Sequence, residues 1–310
     1  MAVVPYLVAY IAILACGLAV IARVLMWSKM PMHVRWELYP VAHEPGRAHY
    51  GGSYLEDADW WKKPREKSMA GELKVMVPEI LFLVALFENN RKLWLRSFPF
   101  HFGLYLVIAA TVAMFGGAIL AAIAPDLMAG GFGTLVQYLV IACGAVGLVL
   151  GIVGALGLLQ RRLFDPDLKD FTAPADIFNL LFFVAAFGLA LVTFFMVDRD
   201  FARVMSFVYG LVTFNMAPLA GTGSEVLLPA LSAIVLGVLV AYIPLTHMSH
   251  FVGKYFAYHS IRWADEPNTP GSHLEAPIQD VLGLKVDWAA PHIQGGGKKS
   301  WADVATEDQK

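Results

Sequence analysis

Nine histidines stand at positions 33, 43, 49, 101, 247, 250, 259, 273 and 292, and none falls between His101 and His247. Neutral imidazole is a common axial ligand of heme iron. His101 comes three residues into an apolar run that begins near Phe98, and His250 ends another that begins near Val226. If the first run enters a membrane on the side by which the last one leaves, the two imidazoles lie at one depth. A bis-histidine heme needs that arrangement, with one ligand on each face of the ring. A polar side chain inside a bilayer is costly and usually faces the bundle interior. The plainer role for such histidines is interfacial anchoring, and His247 and His250, close to Tyr242 and Tyr255, also suit it. The two cysteines, Cys16 and Cys143, sit in apolar runs and form no CxxC cluster. A cysteine-ligated iron–sulfur centre is therefore not expected in this chain.

The elements that must hold these histidines are read from composition. Of 310 residues, 58% are hydrophobic and 15% charged, with a mean hydropathy of +0.59. A soluble domain carries about 25% charged residues, so this chain is expected to be an all-α integral membrane protein. A span needs about 20 mostly apolar residues. Five stretches qualify, near 3–27, 98–124, 132–159, 175–197 and 226–250. The first lacks a basic leader and is longer than a signal-peptide core, so it is read as a retained span. The net charge of -2 offers no basic footprint for nucleic acid.

Lys and Arg are segregated. Residues 29–96 carry 11 of the 23, the 159–173 connection three and the tail after His250 six. The positive-inside rule then puts the amino terminus outside, in the periplasm, and the carboxyl terminus in the cytoplasm. The expected organisation is a first span (1–28), a cytoplasmic connection (29–97), a four-helix membrane core (98–253) and a cytoplasmic tail (254–310). Apolar residues at Leu73, Met76, Ile80, Leu83, Val84, Phe87 and Leu93 suit one amphipathic interfacial helix over 73–96. Pro267, Pro270, Pro291 and the Gly295–Gly297 run predict an irregular, exposed tail.

Two further patterns bear on a heme. Gly144, Gly147, Gly151 and Gly154 share one helical face, which suits close helix packing and would also admit the flat face of a porphyrin. Arg96, Arg161, Arg162, Lys254 and His247 have the depth to pair with heme propionates, though the positive-inside rule alone accounts for most such residues.

Three motifs carry a resemblance. They are Arg161-Arg162-Leu163-Phe164-Asp165-Pro166 with Ala175-Asp176-Ile177, then Phe100-His101-Phe102-Gly103, then Val235-Leu236-Gly237 through Pro244 to His250. Over about residues 98–260 the chain resembles the membrane heme b (gamma) subunit family of respiratory nitrate reductase. That family extends to the membrane subunits of heterodisulfide-reductase-type and sulfite-reduction-associated complexes. The long connection, with Arg35-Trp36-Glu37-Leu38 and Gly51-Gly52-Ser53-Tyr54, is more similar to the heterodisulfide-reductase-type branch. The resemblance implies two heme ligands on the second span and two on the fifth. His101 and His250 match one of each, whereas Thr111 and Ser232 stand at the other two positions. A continuous helix would separate Ser232 from His250 by about 27 Å. One bis-histidine heme b near the cytoplasmic face is therefore expected, with the outer heme lost. Met114, Met196, Met205 and Met216 are the available substitutes as ligands, although methionine is more often apolar filler.

The implied function is a membrane electron-transfer subunit, working between quinone (menaquinone) and an iron–sulfur protein of heterodisulfide-reductase or nitrate-reductase-beta type. The quinone is expected near the heme, where His247 or Tyr105 exchanges a proton. The rival readings are a heme-free anchor for a soluble redox enzyme and a five-span transporter. Gly116-Gly117 and Pro229 would allow the interrupted helices of a transporter, but midplane charges are absent.

Overall fold

A computed structural model describes residues 3–29, 57–59, 62–63, 69–217, 221–253, 270–290 and 295–307. The helices are α1 (Val3–Ser28), α2 (Met69–Phe82), α3 (Val84–Asn89), α4 (Arg91–Ile123), α5 (Pro125–Ala129), α6 (Gly131–Phe164), α7 (Pro166–Lys169), α8 (Pro174–Val197), α9 (Ala202–Val212), α10 (Ser224–Tyr242), α11 (Glu275–Gly283) and α12 (Trp301–Thr306). No β-strand occurs among the described residues, and five helices, α1, α4, α6, α8 and α10, are long and apolar enough to cross a membrane. The all-α, five-span architecture agrees with the hydropathy reading. Two compact units divide the chain, Met1–Leu18 with Val77–Thr246, and Ala19–Met76 with His247–Lys310. The Arg35–Leu38 and Gly51–Tyr54 motifs, Lys254, His33, His43, His49, His259 and His292 lie outside the described residues.

In the first unit the long helices pack in chain order, α4 on α6, α6 on α8 and α8 on α10. Glycine makes the α4–α6 contact possible. A Cβ on Gly154 would run into the backbone nitrogen of Phe100, and one on Gly103 into the backbone nitrogen of Gly151. Close backbone approach is how helices associate where lipid supplies no hydrophobic drive. At the far end of α6, Arg161 Nε donates to Asp165 (3.0 Å), and Asp165 also accepts from Asp167 N (3.1 Å), with Pro166 opening α7. Arg162 pairs with Asp176 at 3.6 Å, and Asp176 accepts from Ala173 N at 3.0 Å. The Arg-Arg…Asp-Pro…Asp motif thus ties the α6–α8 hairpin.

The first half of α1 joins this unit through an aromatic seam. Tyr6 lies 4.5 Å from the Phe207 ring, Tyr10 donates to Leu211 O (2.9 Å), and Ala9 and Ala118 complete the cluster with Val208.

Four expectations are corrected. The 73–96 stretch is not one interfacial helix: it breaks at Leu83, which is left-handed (φ 53°, ψ 51°), and again at Asn90, whose side chain caps α4 by accepting from Leu93 N at 3.0 Å. The fifth span does not run to His250. α10 stops at Tyr242, and single 3-10 turns follow at Ile243–Leu245 and His247–Ser249. Pro244 has no N–H to continue the ladder, so the apolar run outlasts the helix. Ser232 and His250 are therefore not on one continuous helix. The connection after α8 holds a further helix, α9, which carries Phe207, Val208 and Leu211 on its buried face. The tail is not irregular throughout. In the second unit α11 and α12 flank a turn in which Val286 is buried, Val286 N donates to Lys299 O (2.9 Å) and Trp301 N donates to Leu284 O (3.1 Å).

The α4–α6 contact yields a controlled test. Gly154→Ala should cost about 1–3 kcal/mol through overpacking against a backbone that cannot move aside. Gly116→Ala, where a Cβ meets nothing within 4 Å, should be neutral or slightly stabilising. Thermal midpoints of the two variants in detergent check this.

Candidate functional site

His101 sits in the fourth turn-forming stretch of α4, one residue after the Phe100 that rests on Gly154. Its Nδ1 donates to the carbonyl of Ser97 at 2.8 Å, with the Ser97 hydroxyl 3.2 Å away. That hydrogen bond assigns the proton to Nδ1 and the lone pair to Nε2. This is the tautomer in which a histidine ligates a metal while its second nitrogen is fixed by a carbonyl. Phe100 meets the His101 ring edge-on at 5.5 Å and Phe183 of α8 at 5.0 Å.

One turn before Phe183 on α8 is Asn179, 4% exposed. Its Oδ1 accepts from the Tyr242 hydroxyl at 2.8 Å, while its Nδ2 is buried without a hydrogen-bond partner among the described residues. An unmet buried donor costs about 1–3 kcal/mol. Such a donor near the His101 end of the unit suits a ligand with oxygen acceptors. Sequence reasoning passed over Asn179, although an asparagine within an apolar span was itself a signal.

The other predicted residues are placed as follows. Arg96 Nη1 donates to Lys92 O (2.9 Å), and its stem lies against Gly157. Arg161 is held by Asp165. Gly147 touches the α4 backbone at Gly103 and Val107, and Gly151 touches the Phe187 ring. Helix packing is therefore the role the glycine stripe displays. Tyr105 donates to Ile80 O at 2.8 Å. His247 and His250 belong to the second unit, His247 in a 3-10 turn and His250 opening a helical stretch at 250–253. His101, Arg96, Asn179 and the Arg161–Arg162 hairpin thus all belong to the first unit.

Toward the opposite end the first unit encloses a cavity of about 290 Å³, walled by α1, α4, α6, α8, α9 and α10. Thr111 and Ser232, remote in sequence, both line it. The Ser232 hydroxyl lies 2.7 Å from that of Thr193, and both residues are buried. Asp198 stands at one end, 5% exposed, accepting from the backbone N–H groups of Arg203 (2.8 Å) and Val204 (3.1 Å). Burial pushes the Asp198 carboxyl above the usual range, and those two N–H groups pull against it. The Phe201 ring sits on Gly144, where a Cβ would come within 2.8 Å of it. Arg203 pairs with Glu225 at 3.7 Å.

Residues 85–264, more than half of the chain, match the nitrate reductase gamma subunit. The chain belongs to the nitrate reductase gamma subunit family. The matched region takes in His101, Asn179, the Arg161–Asp176 hairpin, the cavity walls from α4 to α10, and the turn that bears His250. Only α1 among the long helices falls outside it. No curated protein and no solved structure matches the chain. α4 carries one histidine, His101, with Thr111 about 15 Å further along the helix axis.

Asp198 gives α9 its amino-terminal cap from outside the helix. Asp198→Ala should cost about 1 kcal/mol and speed amide exchange at Arg203 and Val204, while the α4 amides keep their protection. Hydrogen–deuterium exchange of the purified protein checks it.

Proposed function

We propose that this protein is the membrane cytochrome b subunit of a respiratory oxidoreductase complex, moving electrons between the quinone pool, menaquinone included, and an iron–sulfur subunit. Membership of the gamma family supports the class. The observation that carries the assignment to residues is His101, whose Nδ1–Ser97 hydrogen bond leaves Nε2 as the ligating nitrogen. The residues at this end fit a heme. His101 would hold the iron, His250 is the second histidine that the sequence assigns to it, and Asn179 Nδ2, without a partner among the described residues, would donate to an oxygen of the group. Arg96 and Arg161 would supply positive charge for propionates, and His247 a hydrogen-bonding ring nitrogen. Heme b, when bound, supplies reversible one-electron transfer.

The chain's own residues do the rest. Ser97 fixes the His101 ring, Phe100 and Phe183 keep water from it, and the α4–α6 contact sets its position. A second heme toward Thr111 and Ser232 lacks a histidine on either side, so the stoichiometry is one. The core of 98–253 carries the cofactor. The 29–97 connection and the 254–310 tail dock an iron–sulfur protein of heterodisulfide-reductase or nitrate-reductase-beta type at the cytoplasmic face of the inner membrane.

The purified protein should show a low-spin b-type absorption band, with about one heme per chain. His101→Ala and His250→Ala should each abolish the band in folded protein, while Asn179→Leu should retain the heme and shift its midpoint potential. A wild type that binds no heme when heme is supplied in excess would favour the anchor or transporter readings. Two hemes per chain would overturn the single-heme assignment.

A further inference from the structure

We propose that Trp27, in the last turn of α1, is the positioning residue for His250. The inference rests on the reading above, in which His250 is the second heme ligand, and adds what holds that ligand in place.

His250 has little local structure of its own. α10 ends at Tyr242, and two 3-10 turns lead to a helical stretch at 250–253. A helix this short does not hold itself, since isolated helices under about 12 residues are marginal in water. A ligating side chain must nevertheless stay within about 0.5 Å of its working geometry. The support therefore comes from outside the stretch.

Gly253 supplies the contact. It lies three residues after His250, and residues three apart are neighbours on a helix surface. A Cβ on Gly253 would meet the six-membered ring of Trp27, 3.3 Å from Cη2 and 3.4 Å from Cζ3. The indole is thus laid on the bare backbone of the turn that bears His250. It is also held from the α1 side. Arg23, one turn earlier, places its guanidinium 5.9 Å from the ring centre, inside the cation–π range of about 6 Å. Residues 19–28 of α1 and 247–253 belong to the same compact unit. Ser249 is buried there, whereas His250 is exposed. The backbone beside His250 is packed while its side chain stays open to an incoming group.

A tryptophan at the end of a span also serves as an interfacial anchor. That role needs no glycine opposite the ring, so substitutions at Gly253 separate the two.

The test uses the as-purified full chain in nanodiscs. Hydrogen–deuterium exchange at His250–Gly253 should run about tenfold faster in Trp27→Ala, equivalent to about 1.4 kcal/mol of lost protection. The α4 amides should keep their protection, which reports that the variant folds. Gly253→Leu should also quicken exchange while Trp27 is present, because the side chain displaces the indole. In the Trp27→Ala background the same change should slow exchange, since leucine then meets no indole and is the better helix former. Carbon monoxide binds the reduced heme only as fast as an axial histidine lets go, so its uptake should be about tenfold faster in Trp27→Ala. If Trp27→Ala loses protection in α4 as well, Trp27→Leu replaces it in every comparison.

Unchanged exchange at His250–Gly253 without the indole overturns the inference. So does an effect of Gly253→Leu that has the same sign in both backgrounds, or faster exchange with no change in carbon monoxide uptake. If instead His250→Ala keeps the low-spin band, the ligand assignment and this inference fall together, whatever the exchange shows.

Discussion

Backbone touches backbone where α4 crosses α6, and the membrane core is organised around that contact. Inside lipid, two helices gain nothing by hiding apolar side chains from each other, so association depends on close fit. Gly103 and Gly154 supply the fit from opposite helices, and Gly147 and Gly151 extend it toward α4 and Phe187. Phe100 is seated by Gly154 and leans on Phe183, so the orientation of the neighbouring His101 follows from the same contact. The ring's tautomer is set one turn earlier, by Ser97.

Polar groups in the spans follow a consistent rule. Thr111 returns its proton to Val107 O, Thr193 to Leu189 O, and Ser232 shares with Thr193. Each such group is satisfied within its own helix or by one neighbour, as the cost of an unmet group in hydrocarbon requires. Asn179 Nδ2 departs from that rule. At the other end, α9 packs against α4, and the Thr193–Ser232 hydroxyl pair sits in a largely apolar cavity.

Much of this was legible in the linear chain, because apolar length is a strong signal. Five spans were found near their true positions, and the Arg161–Asp176 motif marked the α6–α8 hairpin. The misses have physical causes. Hydropathy does not register a broken hydrogen-bond ladder, so the apolar run through Pro244 concealed the end of α10 at Tyr242. α9 is 11 residues long, too short for a span-length window, although its Phe207, Val208 and Leu211 already followed helical spacing. Leu83 turns left-handed, which its residue type does not announce. At the site, His101 was conspicuous as a polar residue in an apolar run. Asn179 stands in an apolar run as well, but that its Nδ2 is unmet is defined only by what surrounds it. The cavity too is a property of several helices at once, so the sequence, which paired Thr111 and Ser232 through the resemblance, did not show that both line one space.

The lengths of α4 and α6 have a mechanical consequence. They run for 33 and 34 residues, about 50 Å each, against a hydrocarbon core of about 30 Å. Arg91, Lys92 and Arg96 mark the end of α4 that stays out of the lipid, and Arg161 and Arg162 mark the matching end of α6. The overhang is thus shared by two antiparallel helices zipped along their length, forming a stiff pedestal rather than a loose loop. The rise from Arg91 to His101, about 15 Å along α4, is built into the helix itself.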